Sequence, residues 1–166
     1  MKLWSLSYPD RPEPPIPAEE WKILGFQGTN PATDFRGSGV LGIECLLALV
    51  EYPEFFHFLL KSAEEHSMPF SAVGINVVGS IFDFLGWGMK SGKSPNTFKT
   101  LVTMLFDIHV EGTEENLLNL AKTVFSKLFI LFFGTIEKIW TTRNSQYMDF
   151  PNVMAEATED MENILK

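Results

Sequence analysis

PFSAVGINVVGSIFDFL, Pro69 to Leu85, separates an all-helical chain from a mixed one, because it reads two ways. Val73, Ile75, Val77 and Ile81 alternate as a strand would, while Phe70, Val73, Val77, Ile81 and Leu85 recur at three- and four-residue spacing. Its length favours the helix, since strands rarely exceed about ten residues.

The flanking segments agree with that choice. VLGIECLLALV (Val40–Val50) is apolar on all sides except at Glu44, the pattern of a buried helix, and Pro53 opens a second one, EFFHFLLKSAEE. Further along, Phe98, Leu101, Val102, Leu105, Phe106 and His109 share one helical face. Thr113-Glu114-Glu115 starts a long helix with Leu117, Leu120, Val124, Leu128, Leu131 and Trp140 on one face. A weaker, acidic helix follows from Pro151 to about Leu165. With no internal repeat and no hairpin signal, the expected fold is all-α, a single compact helical domain.

Bulk properties narrow the function. A chain of 166 residues with 45% hydrophobic and 20% charged residues is large and apolar enough for one real core. Fifteen phenylalanines and four tryptophans make that core aromatic. A net charge of −8 argues against nucleic acid and acidic membrane surfaces as partners. Cys45 is the single cysteine, which excludes a disulfide framework or a cysteine zinc cluster and fits a reducing compartment. MKLWSLSYPDRPEPP lacks the apolar run of a signal peptide, and LFILFFGTI (Leu128–Ile136) is too short to span a bilayer. The chain reads as cytoplasmic.

Residues 1–17, with Pro9, Pro12, Pro14, Pro15 and Pro17, read as an extended Pro-rich arm, because proline lacks the donor that helix and sheet ladders need. Residues 18–150 read as the domain, starting with a helix at Pro17-AEEWKIL, and 151–166 as an acidic C-terminal helix or tail.

Several chemistries fail on spacing. GWGMKSGKS (Gly86–Ser94) ends like a P-loop, yet the position five before Gly92 is Trp87, so a solvent loop is expected. His57, His66 and His109 have no second histidine at ligand spacing, so no metal is expected; His109 reads as a packed core residue and Cys45 as a structural thiol. Glu44, alone in an apolar helix, should pair with Arg36 or Lys61, or face solvent. Glu156, Glu159, Asp160 and Glu162 should form a solvated face.

GFQGTNPATDFRGSG (Gly25–Gly39) is the other unusual stretch, with four of the twelve glycines and one of the three arginines. Together with the residues before it, as WKILGFQGTNPATDFRGSG (Trp21–Gly39), it resembles the signature of the ELMO domain, in the version found in ELMO-domain GTPase-activating proteins that act on Arf-family GTPases. Trp21, Gly25, Phe26, Gln27, Gly28, Pro31, Thr33, Asp34, Phe35, Arg36, Gly37 and Gly39 occupy signature positions. PFSAVGIN (Pro69–Asn76) is similar to the family's mid-domain apolar stretch, and the resemblance covers about residues 18 to 142.

The resemblance implies an all-helical fold without cofactor or metal, acting as a GTPase activator rather than an enzyme with its own active site. Arg36 then corresponds to the arginine that the activating branch requires, supplied as a finger to an Arf-family GTPase in its GTP form. Trp21, Phe26 and Phe35 would pack beneath the loop. Gly37 and Gly39 would let the GTPase approach, Asp34 would hold the turn, and Gln27 would bond the loop backbone or orient the attacking water. The domain would be peripheral to membranes through its GTPase partner. The alternative is an adaptor holding a DOCK-type exchange factor in Rac signalling, engulfment and motility, although in that branch the pattern around the arginine is degraded. A purely structural Arg36 would instead pair with Asp34 or Glu44 and cap the loop.

Overall fold

The computed structural model describes residues 2–84 and 114–164, and among these there is no strand. The described residues form six α-helices: α1 (Lys2–Ser7), α2 (Gly39–Ala48), α3 (Pro53–Glu65), α4 (Phe70–Phe84), α5 (Glu114–Arg143) and α6 (Phe150–Ile164). The glycine-rich stretch Gly86–Ser94 and the face from Phe98 to His109 lie outside the described residues.

The ambiguous stretch is helix α4, and it is central: it packs against α2, α3, α5 and α6. Phe70, Val73, Val77 and Ile81 are all buried, as the helical spacing requires, and so is Phe84, while Leu85 lies outside the described residues; Ile75, which the strand alternation needs, is only half-buried. Around α4 the rings interlock. Phe70 meets Phe56 of α3 at 6.0 Å and Phe133 of α5 at 5.2 Å, and Phe84 meets Phe132 edge-on at 5.9 Å.

Helix α5 buries Phe129, Phe132, Phe133, Ile136 and Trp140, so its core face lies over the phenylalanines. Leu131, expected on that face, is 40% exposed. Two polar ties hold α5 to α3: the Ser62 hydroxyl donates to Glu137 Oε1 at 2.7 Å, and the Trp140 indole to the His66 carbonyl at 3.0 Å. Glu156 is not part of a simple solvated face, because it pairs with Arg143 at the end of α5. Glu159 and Asp160 are exposed.

The N-terminal segment departs furthest from expectation. Its first residues are helix α1 rather than an extended arm, with Leu3 and Trp4 buried. The proline stretch then lies against the indoles: Trp4 Nε1 donates to the Pro12 carbonyl at 3.1 Å and Trp21 Nε1 to the Pro15 carbonyl at 2.9 Å. Proline removes donors but leaves acceptors, and a buried indole N–H needs an acceptor. Residues unsuited to ladders thereby satisfy two buried tryptophans.

No single described helix is long and apolar enough to cross a membrane; α3 and α4 together match by length and composition, but are bent by 116°. Removing the Trp4 ring should lower unfolding free energy by about 3–5 kcal/mol, the usual cost of a buried tryptophan cut to alanine. Chemical denaturation of Trp4→Ala checks this; an unchanged midpoint would mean that α1 does not share the core.

Candidate functional site

Two 3-10 turns, Glu19–Leu24 and Pro31–Arg36, carry the signature. The helix expected at AEEWKIL is the first of these. It is one tight turn, closed when Gly25 takes a left-handed conformation (φ +81°) and its N–H reaches the Lys22 carbonyl at 2.9 Å.

Gly25 also explains why the two family-like stretches belong together. It lies directly on the first turn of α4, where an added Cβ would overlap the Phe70 main-chain nitrogen and come within 2.6 Å of the Pro69 carbonyl carbon. The contact is sealed by hydrogen bonds. The Ser71 hydroxyl donates to the Leu24 carbonyl at 2.6 Å, and the Ala72 N–H, one of the donors a helix start leaves unpaired, donates to the Gly25 carbonyl at 3.1 Å.

The second turn begins at Asn30, whose side chain accepts from the Ala32 N–H at 3.0 Å, with buried Pro31 at the first position. The Thr33 hydroxyl donates to the Asn30 carbonyl at 2.8 Å. Beneath both turns runs a row of edge-on rings: Trp4 to Trp21 at 5.3 Å, Trp21 to Phe26 at 6.2 Å, and Phe26 to Phe35 at 5.7 Å. Trp21, Phe26 and Phe35 are buried as the loop's floor. The first ring, Trp4, precedes the signature; the apolar Leu3-Trp4 pair ahead of the prolines was its sequence signal.

Arg36 follows Phe35 and is exposed. Its Nε donates to the Thr33 carbonyl at 3.2 Å, and among the described residues no carboxylate pairs with its guanidinium. Asp34 is occupied otherwise: Oδ2 accepts the Gln27 main-chain N–H at 2.6 Å, and Oδ1 lies 3.2 Å from the Thr33 hydroxyl, whose one proton goes to the nearer Asn30 carbonyl. Glu44 faces solvent on α2. The pairing that a purely structural Arg36 would need is therefore not formed with either acid. Gln27 bonds Asp34 through its main-chain amide, while its side chain stands exposed.

Gly28 is half-buried against the Thr33 hydroxyl, whereas Gly37 and Gly39 are exposed with nothing within 4 Å of a Cβ at either. Gln27, Asp34, Gly37 and Ser38 line one side of a cavity of about 320 Å³, opposite Ala72, Ile75, Asn76 and Gly79 of α4. Cys45 is buried and unpaired, and burial, with Glu44 beside it, pushes its thiol up to about 12, as expected of an inert structural thiol.

With this geometry in view, the comparisons with known proteins place the chain. It belongs to the ELMO/CED-12 family, whose sequence profile matches residues 1–154. That span includes the N-terminal helix and the proline stretch. The chain is 28% identical to ELMO domain-containing protein C of Dictyostelium discoideum over 165 residues, covering 98% of this chain and 25% of that protein. It is 28% identical to ELMO domain-containing protein B of the same organism over 163 residues, 92% of this chain and 54% of that protein. ELMO domain-containing protein 2 of Homo sapiens is 35% identical over 88 residues, 51% of this chain and 30% of that protein. The chain thus spans between a quarter and about half of the length of these relatives. No solved structure matches it.

The two glycine classes in the loop should separate experimentally. Gly25→Ala meets left-handed strain and backbone overlap, each worth about 1–3 kcal/mol, and should destabilise strongly. Gly37→Ala, at φ −84° with open space, should stay within about 0.5 kcal/mol of the parent. Paired thermal and denaturant melts measure both; a tolerated Gly25→Ala would refute the contact with α4.

Proposed function

We propose that this ELMO domain stimulates GTP hydrolysis by an Arf-family small GTPase, with Arg36 entering the partner's nucleotide site. The observation that carries the reading is an exposed guanidinium held by its Nε and paired with no described carboxylate. That anchorage leaves the two Nη groups, the planar fork that matches phosphate oxygens.

Hydrolysis of GTP develops negative charge on the β–γ bridging oxygen and the γ-phosphoryl oxygens. An arginine supplied in trans neutralises it, an effect worth about 10³–10⁵ in rate, or roughly 4–7 kcal/mol of transition-state stabilisation. The nucleotide and Mg²⁺ belong to the partner in this reading. What the ELMO domain contributes is position: a ring-packed floor that fixes the turn and removes the entropy of searching for the phosphate. The domain would act in the cytoplasm and reach membranes only through its GTPase.

Single-turnover hydrolysis by a panel of GTP-loaded Arf-family GTPases tests the reading. Stimulation by the parent should disappear in Arg36→Ala and in Arg36→Lys, with unchanged circular dichroism and melting temperature, because lysine lacks the fork. Stimulation retained by Arg36→Lys would sink the finger. Failure to stimulate any panel member, together with capture of a DOCK-type exchange factor, would favour the adaptor.

A further inference from the structure

The hydrogen bonds around Asp34 join two parts of the loop that are separate in sequence. Oδ2 takes the Gln27 N–H at 2.6 Å, which ties the segment leaving Gly25 to the second turn. The Thr33 carbonyl, on the peptide that leads into Asp34, accepts from Arg36 Nε at 3.2 Å. Residues two apart in a helical turn do not face each other, and Oδ2 is directed to the Gln27 main chain. Among the described residues no carboxylate closes the guanidinium fork.

We infer that Asp34 is the positioning residue of the site: by tying the second turn to the Gln27 segment packed on α4 it fixes the Thr33–Asp34 peptide, whose carbonyl holds Arg36, and so sets the direction of Arg36. This inference rests on the finger reading given above. The 2.6 Å bond from Gln27 N–H is charge-assisted and short, and it holds Oδ2 against the main chain of the Gln27 segment. This tie closes the ends of the Gln27–Asp34 segment on each other, and the Thr33 carbonyl is thereby held where Arg36 needs an acceptor. A displacement of about 1 Å at a reacting group costs on the order of a hundredfold in rate, so losing such a tie should be visible in chemistry before it is visible in binding.

The test compares the parent protein with Asp34→Ala, Asp34→Asn and Arg36→Ala. Single-turnover GTP hydrolysis is followed as protein concentration is raised over one responsive GTPase. Asp34→Ala should lower the maximal stimulated rate by roughly tenfold to a hundredfold, and leave the half-saturating concentration nearly unchanged. Asp34→Asn should recover part of the rate, since its carbonyl oxygen can still accept from Gln27 N–H. Independently of activity, the Arg36 Nε–H resonance should exchange with water faster in Asp34→Ala, while the Trp21 indole resonance keeps its protection.

A stimulated rate equal to or above the parent's in Asp34→Ala would overturn the inference and leave the finger standing. So would a loss confined to the half-saturating concentration. If Asp34→Ala fails to fold, Asp34→Asn decides on the same two readouts. If the parent stimulates no GTPase, or Arg36→Ala stimulates as well as the parent, the finger reading falls and the role of Asp34 falls with it.

Discussion

The contact between Gly25 and the first turn of α4 is the constraint on which the site depends. A left-handed residue without a side chain lets two backbones meet closely enough for the Leu24 and Gly25 carbonyls to take the Ser71 hydroxyl and the Ala72 N–H. Those bonds occupy the end of the central helix, which itself packs against α2, α3, α5 and α6. The loop is therefore referenced to the whole core, although its own turns are only six residues long. An exposed loop on a rigid frame is where a side chain can be offered to another molecule at a defined place.

Electrostatics at the loop tip follow from the same hydrogen-bond pattern. The chain carries a net charge of −8, so an exposed arginine has many acids it could meet. The nearest in sequence, Asp34, is engaged by the Gln27 main-chain amide. Exposed ion pairs contribute about 1 kcal/mol at most, so an Arg36 paired with no carboxylate among the described residues costs the fold little.

Much of this was legible in the sequence, and the failures have physical causes. The helical nature of α4 could be read because the segment is longer than an ordinary strand, which decided between two spacings that the residues themselves left open. The loop's floor was legible in the resemblance, at Trp21, Phe26 and Phe35. Residues 1–17 were misread because proline content predicts what a backbone cannot donate and says nothing of what its carbonyls can accept. Leu131 was placed on the core face of α5 by spacing alone, and the larger rings at 129, 132 and 133 turned the helix toward themselves. The partners of Asp34 and Glu156 lie across turns between elements, a relation that no local pattern encodes.

The row of rings under the loop also bears on where such a domain can be divided. A boundary drawn at the first signature residue would keep Trp21 and discard Trp4, Pro12 and Pro15. The indole at position 21, wholly buried here, would lose the ring stacked on its edge and the carbonyl that accepts its N–H. A motif-sized fragment would then present an oily, unsatisfied surface next to the arginine it was meant to isolate. The functional unit is thus longer than its signature, because the signature records the loop and the floor under it begins seventeen residues earlier, at Trp4.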